Sequence, residues 1–191
     1  MKPHAIITGA SSGLGLESAL ALAVKGFDLT LVARGEKRLH DAAQQIQLAN
    51  QDASITPVVL DVSDFDQVRS FAASVQRPVD VLMNNAGLMG PDFKLSKQGI
   101  EIQMATNHLG HFVLTAGLWD KLNQAQTARV VSLSSVVHRR GNFDAGDIEV
   151  LRGADEKKYN RWQRYADTKL ACLWFARELH NRIAAEGGQI K

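Results

Sequence analysis

Tyr165 and Lys169 stand four residues apart in the stretch YADTK. On a helix that spacing puts both side chains on one face. An unperturbed tyrosine hydroxyl, with a pKa of about 10, is a poor acid or base at neutral pH. Bringing it near 7 takes about 4 kcal/mol of preference for the phenolate, which nearby positive charge can supply. Such a pair suits proton transfer to an oxygen, although a purely structural pair with this spacing is common. Further polar groups fall where the strand patterns end. Ser134 and Ser135 close the run RVVSL, and Asn84 and Asn85 close VDVLM. Asn107 lies inside a long helical pattern.

A second feature comes earlier. TGASSGLG, from Thr8 to Gly15, separates an apolar run from a helical pattern. Gly9 permits a tight turn. Gly13 and Gly15 remove side chains where backbone must come close, and Ser11, Ser12 and Leu14 complete the loop. The helix that follows offers free N–H groups and positive dipole charge to a pyrophosphate. The spacing is Gly-x-x-x-Gly-x-Gly, without the Gly-Lys-Ser/Thr ending of a nucleoside triphosphatase loop, which argues against triphosphate hydrolysis. At the end of the second strand, Arg34 stands where a ribose-binding carboxylate is expected. An arginine there can pair with a 2′-phosphate, with Arg38 assisting, so NADP(H) is favoured over NAD(H). The plainer reading of Arg34 is a solvated loop charge. Asp61, followed by Val62 at the end of the third strand, can accept from an adenine amino group or serve as a turn residue.

These groups need a frame. His4–Thr8, Asp28–Ala33, Thr56–Leu60, Val79–Met83 and Arg129–Leu133 are short, β-branched runs bounded by Gly, Pro or Asp, and read as buried strands. Gly13–Lys25, Glu36–Asn50 and Asp64–Gln76 have helical spacing. Leu14, Ala19, Leu22 and Ala23 are expected to share one face, and Ser63 to cap the third helix. Lys97–Asn123 reads mostly as one long helix and Arg161–Ala185 as another. The alternation predicts an α/β fold: a doubly wound parallel sheet of order 3-2-1-4-5 in a three-layer, Rossmann-like domain spanning 1–191. Residues 138–160 are too long for a connector and read as an excursion near the substrate.

Taken in order, TGASSGLG, NNAG, Asn107, SLSS and YADTK resemble the short-chain dehydrogenase/reductase family. The segment SSVVHRRG and the long gap before Tyr165 are similar to its retinol dehydrogenase-like branch. The resemblance implies hydride transfer between a nicotinamide and a small carbonyl or alcohol substrate. It implies that Tyr165 is the general acid or base, that Lys169 lowers its pKa and holds the nicotinamide ribose, and that Ser135 hydrogen-bonds the substrate oxygen. Asn107 would anchor a relay water through a local distortion of its helix, and Asn85, Ala86 and Gly87 would line the adenosine side. It also implies that the chain stops where strand six begins, leaving a sheet edge uncovered and the substrate end incomplete. A non-catalytic nucleotide-binding or dimerising remnant is the alternative.

The totals fit this reading. The apolar fraction of 45% and charged fraction of 22% suit one globular domain. A net charge of +2 with scattered basic residues gives no nucleic-acid footprint. One cysteine, Cys172, excludes an internal disulfide and reads as a small buried hydrophobe. No apolar run approaches membrane-spanning length, and Met1-Lys-Pro-His leads straight into a strand, so a cytoplasmic protein is expected. His108 and His111 read as helix-surface or packing residues, with no metal site. Trp119 and Trp174 suit packing or a homodimer between the long helices. Asp144 and Asp147 read as a turn pair.

Overall fold

A computed structural model describes residues 2–142, 156–188 and 190–191. The predicted strands form one parallel sheet of order β3-β2-β1-β4-β5. They are β1 (His4–Thr8), β2 (Asp28–Ala33), β3 (Ile55–Val59), β4 (Val81–Asn84) and β5 (Arg129–Ser132). Side chains alternate across β1. Ala5 and Ile7 join Leu29, Leu31, Leu39 and Ile46 in one core cluster, which also takes Ala19 and Ala23. Ile6 joins Val32, Leu82, Leu114 and Leu118 in the other. Burial on both faces explains why these runs are continuously apolar. Each fully buried Ile or Leu contributes about 1.5–3 kcal/mol.

The flanking helices are α1 (Gly13–Val24), α2 (Glu36–Ala49), α3 (Phe65–Ser74), α4 (Ile102–Met104), α5 (Gly110–Gly117), α6 (Trp119–Asn123) and α7 (Arg161–Ala185). The last has the expected bounds, and the Asn160 side chain caps it by accepting from the Trp162 and Gln163 amides.

Several expectations need correction. Leu14 is 64% exposed and lies off the buried face of α1, which carries Gly15, Ala19 and Ala23 at helical spacing. Asp64, not Ser63, caps α3, because its carboxylate accepts from the Asp66 and Gln67 amides. The Ser63 hydroxyl instead donates to Asp61 at 2.7 Å. Strand four begins at Val81, since the Val79 amide is taken by the Lys121 carbonyl. The stretch 97–123 is not one helix. Gly99 adopts a positive φ of 72°, Leu95 pairs with Glu101 in an isolated bridge, and α4 starts only at Ile102. A π-helical turn, Ala105–Leu109, then separates α4 from α5, and α6 follows a break at Leu118. The outer edge of β5 is partly covered: Lys191 donates to the Ala128 carbonyl and accepts from the Val130 amide. Of the 138–160 excursion, 3₁₀ turns at Val136–Arg140 and Glu156–Lys158 flank a central part outside the described residues, as are Asp144 and Asp147. Among the described residues no helix is long and apolar enough to cross a membrane.

Because the strands are parallel, their carboxyl ends lie on one side of the sheet. The loops after β1, β2, β3, β4 and β5 therefore converge there.

Candidate active site

A cleft of about 280 Å³ opens at this convergence. It is lined by Gly9, Ser11, Ser12, Arg34, Arg38, Asp61, Val62, Asn85, Ala86, Gly87 and Thr106, among others. Gly13, Leu14 and Gly15 are not in its lining. Gly9 has a φ of 68°, and a Cβ there would sit 2.9 Å from Ala86 Cα. A Cβ at Gly15 would strike the Gly9 carbonyl. The two glycines thus draw the loop tight, and Gly15 acts through that packing. Helix α1 has no side-chain cap on its Ser12 N-cap and no acidic residue in its first turn. Its leading N–H groups and dipole suit an anion such as the diphosphate of a dinucleotide, so this cradle fits the cofactor that the resemblance implies.

At one end of the cleft Arg34 faces Asp61, with 4.0 Å between Nη1 and Oδ2, and both remain partly exposed. Asp61 Oδ1 is held by the Ser63 amide and hydroxyl. Arg38 lies over Gly35, whose Cβ would come 3.3 Å from its Nε. Two guanidinium groups therefore border the cleft, and one of them stands beside the Asp61 carboxylate.

The other end is built by the π turn. A Cβ on Gly110 would run into the Val62 carbonyl, so the helix presses against the β3 loop and sets Asn107 beneath β4's loop. Asn107 Oδ1 accepts from the Leu88 amide at 2.7 Å. Its Nδ2 donates to the Leu88 carbonyl and Thr168 Oγ1, each at 2.9 Å. Its backbone carbonyl accepts from the Cys172 thiol at 3.1 Å and lies 3.1 Å from His111 Nδ1. A relay water at this carbonyl would compete with both groups. Cys172 thus makes a polar contact beyond the hydrophobic role expected of it, and burial raises its pKa and keeps it a thiol donor.

His111 is a buried joint. A carbonyl only accepts, so Nδ1 carries the proton and Nε2, 2.9 Å from Thr8 Oγ1, is an acceptor for that hydroxyl, whose other acceptor is the Met83 carbonyl at 3.2 Å. Thr8 Oγ1 in turn accepts from the Asn85 and Ala86 amides, each at 2.9 Å. Burial lowers the His111 pKa to about 4, so it is neutral at pH 7. The same cause lowers His108 to about 4.

Lys169 is 4% exposed and donates from Nζ to the Leu133 carbonyl at 2.9 Å. Burial lowers its pKa. Its Nζ is 5.7 Å from the Tyr165 ring centroid. A Cβ at Gly87 would lie 3.3 Å from Asn107 Oδ1 and 3.7 Å from Lys169 Nζ, so Gly87 joins the cleft to the Asn107–Lys169–Tyr165 group. Ser134 donates to the Lys169 carbonyl at 2.7 Å. Ser135 Oγ accepts from the Val137 amide at 3.4 Å and caps the turn beside α7, with no hydrogen bond to Tyr165 among the described residues.

Sequence reasoning passed over Thr8, Glu101, Gln103, Thr106 and the bridging role of His111. Buried Glu101 accepts from the Gln103 and Met104 amides and from the Tyr159 hydroxyl. Buried Gln103 binds Gly90, Tyr159 and Arg161. Their polarity in an apolar helical pattern was the available signal. The partners that tie Gln103 to the rest of the chain are 13 or more residues away.

A family profile described as short chain dehydrogenase matches residues 3–146. The chain belongs to this family. Human retinol dehydrogenase 13 is 35% identical over 185 residues, covering 95% of this chain and 55% of the relative. Short-chain dehydrogenase TIC 32 B, chloroplastic, from Brassica napus is 36% identical over 194 residues, covering 97% of this chain and 60% of the relative. The chain thus spans 55–60% of the length of these two curated relatives. An uncharacterized protein from Mycobacterium paratuberculosis superposes with a TM-score of 0.87 at 36% identity, over 99% of this chain and 65% of that one. A short-chain dehydrogenase from Sphingobium yanoikuyae, solved in complex with NADPH, gives 0.75 at 26% identity, over 98% of this chain and 68% of that one. The similarity to retinol dehydrogenases agrees with the branch that the motifs resemble.

Proposed function

We propose that this short-chain dehydrogenase chain binds NADP(H) and interconverts a carbonyl and an alcohol, with Tyr165 as general acid and base. The observation that carries the reading is the position of Gly87, which lines the cleft and also borders Asn107 and Lys169. One continuous groove can thus hold a dinucleotide at the glycine loop and a reacting group at Tyr165.

The Gly9–Ser12 turn and the α1 N-terminus would take the diphosphate. Arg34 and Arg38 would pair with a 2′-phosphate, and Asp61 would accept from the adenine amino group. The bound nicotinamide supplies or takes the hydride. In reduction the Tyr165 hydroxyl gives its proton to the substrate oxygen, and in oxidation the phenolate takes it back. Ser135 donates to the same oxygen, drawing charge away from the carbon. The Lys169 ammonium stabilises negative charge on the Tyr165 oxygen and can hold a ribose hydroxyl. Asn107 braces Leu88 and Thr168, the residue before that lysine. Phe112 and Trp174, both exposed on α5 and α7, support a homodimer through these helices. A cytoplasmic setting remains the sequence-based reading, beside one relative described as chloroplastic.

The test is the thermal unfolding midpoint with and without dinucleotide. Ligand at 100 times its Kd stabilises the native state by about 2.7 kcal/mol. NADP⁺ is expected to raise the midpoint more than NAD⁺ at equal concentration, and Arg34→Ala to remove the difference. A cooperative transition that neither compound moves would contradict the proposal and return the non-catalytic reading.

A further inference from the structure

Thr106 precedes Asn107 in the π turn and is 4% exposed. Its Oγ1 is buried and has no hydrogen-bond partner in the protein. Buried hydroxyls are nearly always paired, and an orphan costs about 1–3 kcal/mol. Thr115, further along the same segment, shows the ordinary solution: its hydroxyl donates to the His111 carbonyl four residues back at 2.8 Å. Thr106 does not take that route. The carbonyl four residues before it, Ile102, receives the Ala105 amide.

The orphaned hydroxyl belongs to a residue that lines the cleft together with Val62, Asn85 and Gly87. This stretch lies between the Arg34–Asp61 end and the Lys169 end. On the dinucleotide reading above, the groups that pass here are sugar and phosphate oxygens, which accept hydrogen bonds. We propose that Thr106 is a cofactor-binding residue whose Oγ1 donates to a ribose or diphosphate oxygen of the dinucleotide. The hydroxyl is left unpaired within the protein because its partner arrives with the ligand. The inference rests on the proposed dinucleotide site and adds to it a residue that reads the part common to NADP and NAD.

The experiment is calorimetric titration of NADP⁺ and of NAD⁺ into the unaltered chain, Thr106→Val and Thr106→Ser, with the ligand-free unfolding midpoint of each. Valine keeps the shape and removes the hydroxyl. Thr106→Val is expected to weaken both dinucleotides by the same factor, about five- to tenfold, leaving the preference between them unchanged. Its ligand-free midpoint should equal or exceed that of the unaltered chain. Thr106→Ser should bind within about twofold of the unaltered chain, since the donor remains. Unchanged affinity in Thr106→Val, or a loss confined to NADP⁺, would overturn the inference while leaving the site reading intact. So would a ligand-free midpoint that falls in Thr106→Val and not in Thr106→Ser, because the hydroxyl would then have a partner within the protein. An unaltered chain that binds neither dinucleotide would overturn the site reading and this inference together.

Discussion

Tyr159 donates its proton to the buried Glu101 carboxylate at 2.9 Å, whereas the Tyr165 ring lies 5.7 Å from the Lys169 ammonium. These are the chain's 2 tyrosines. Tyr159 also accepts from Gln103 at 2.8 Å and packs edge-on against Phe93. Burial and the adjacent Glu101 charge push its pKa up to about 12. A phenol in that setting keeps its proton throughout the physiological range, so it fastens the 90–103 region to the start of α7 and does no proton transfer. Tyr165, six residues further on, has a lysine as its charged neighbour. The side chains are the same. On the proposed mechanism Tyr165 is the reactive phenol, and the sign of the neighbouring charge is what sets the two apart.

Exchanging the neighbours tests that contrast most strongly. Lys169→Met keeps the length of the side chain and removes the ammonium. It is expected to lower kcat by about 10²–10³. Glu101→Gln should leave the rate per folded molecule within a few-fold, yet lower stability by about 2–3 kcal/mol in urea unfolding, because it leaves Arg164 without its buried anion. The Arg164 side chain is 13% exposed and stands 3.8 Å from Glu101. A stability loss from Lys169→Met with no change in rate would erase the distinction between the two regions.

The next effect is one of pH, and it concerns His111, which joins the π turn to the end of β1. The folded-state pKa of His111, about 4, lies below its ordinary value of 6.5 because burial disfavours the imidazolium. Between those values the unfolded chain binds a proton that the native state refuses. Stability is therefore fully present above pH 6.5 and is lost as pH falls toward 4. From this residue alone the loss at pH 5 is about 2 kcal/mol. Denaturant unfolding across this range should show the slope, and His111→Gln should reduce it, leaving the part due to His108. An unaltered slope in that variant would mean that other groups govern acid unfolding.

Tyr159→Phe gives the smallest effect. It removes the hydroxyl from a carboxylate and an amide, and should lower stability by about 1–2 kcal/mol with kcat within about twofold. A large loss of rate at unchanged stability would place Tyr159 in the chemistry and contradict its assignment.

The two regions also differ in how far the sequence revealed them. The sheet order and the bounds of α7 were legible, because buried parallel strands are short, β-branched and punctuated by Gly, Pro or Asp. The Tyr165–Lys169 spacing and the glycine loop were legible for the same local reason. The Glu101–Gln103–Tyr159 cluster was not, since Tyr159 meets Gln103 and Glu101 at separations of 56 and 58 positions along the chain. The stretch 97–123 looked like one helix because its apolar spacing continues through Gly99 and the π turn, and a one-residue insertion in a helical ladder leaves no mark in composition. Ser63 and Asp64 are both good caps, and only the backbone entering α3 selects the carboxylate. Leu14 was placed in the core by its spacing. It falls in the first turn of α1, off the face that carries Gly15, Ala19 and Ala23.

The most direct measurement is single-turnover oxidation of bound NADPH. The chain is mixed in excess over NADPH and then with a panel of aldehydes and ketones, and loss of the reduced cofactor is followed by absorbance. The account predicts consumption by the unaltered chain and by Tyr159→Phe, slowed by about 10³ or more in Tyr165→Phe. Equal rates in Tyr165→Phe and the unaltered chain would contradict it, as would bound NADPH that no carbonyl compound oxidises.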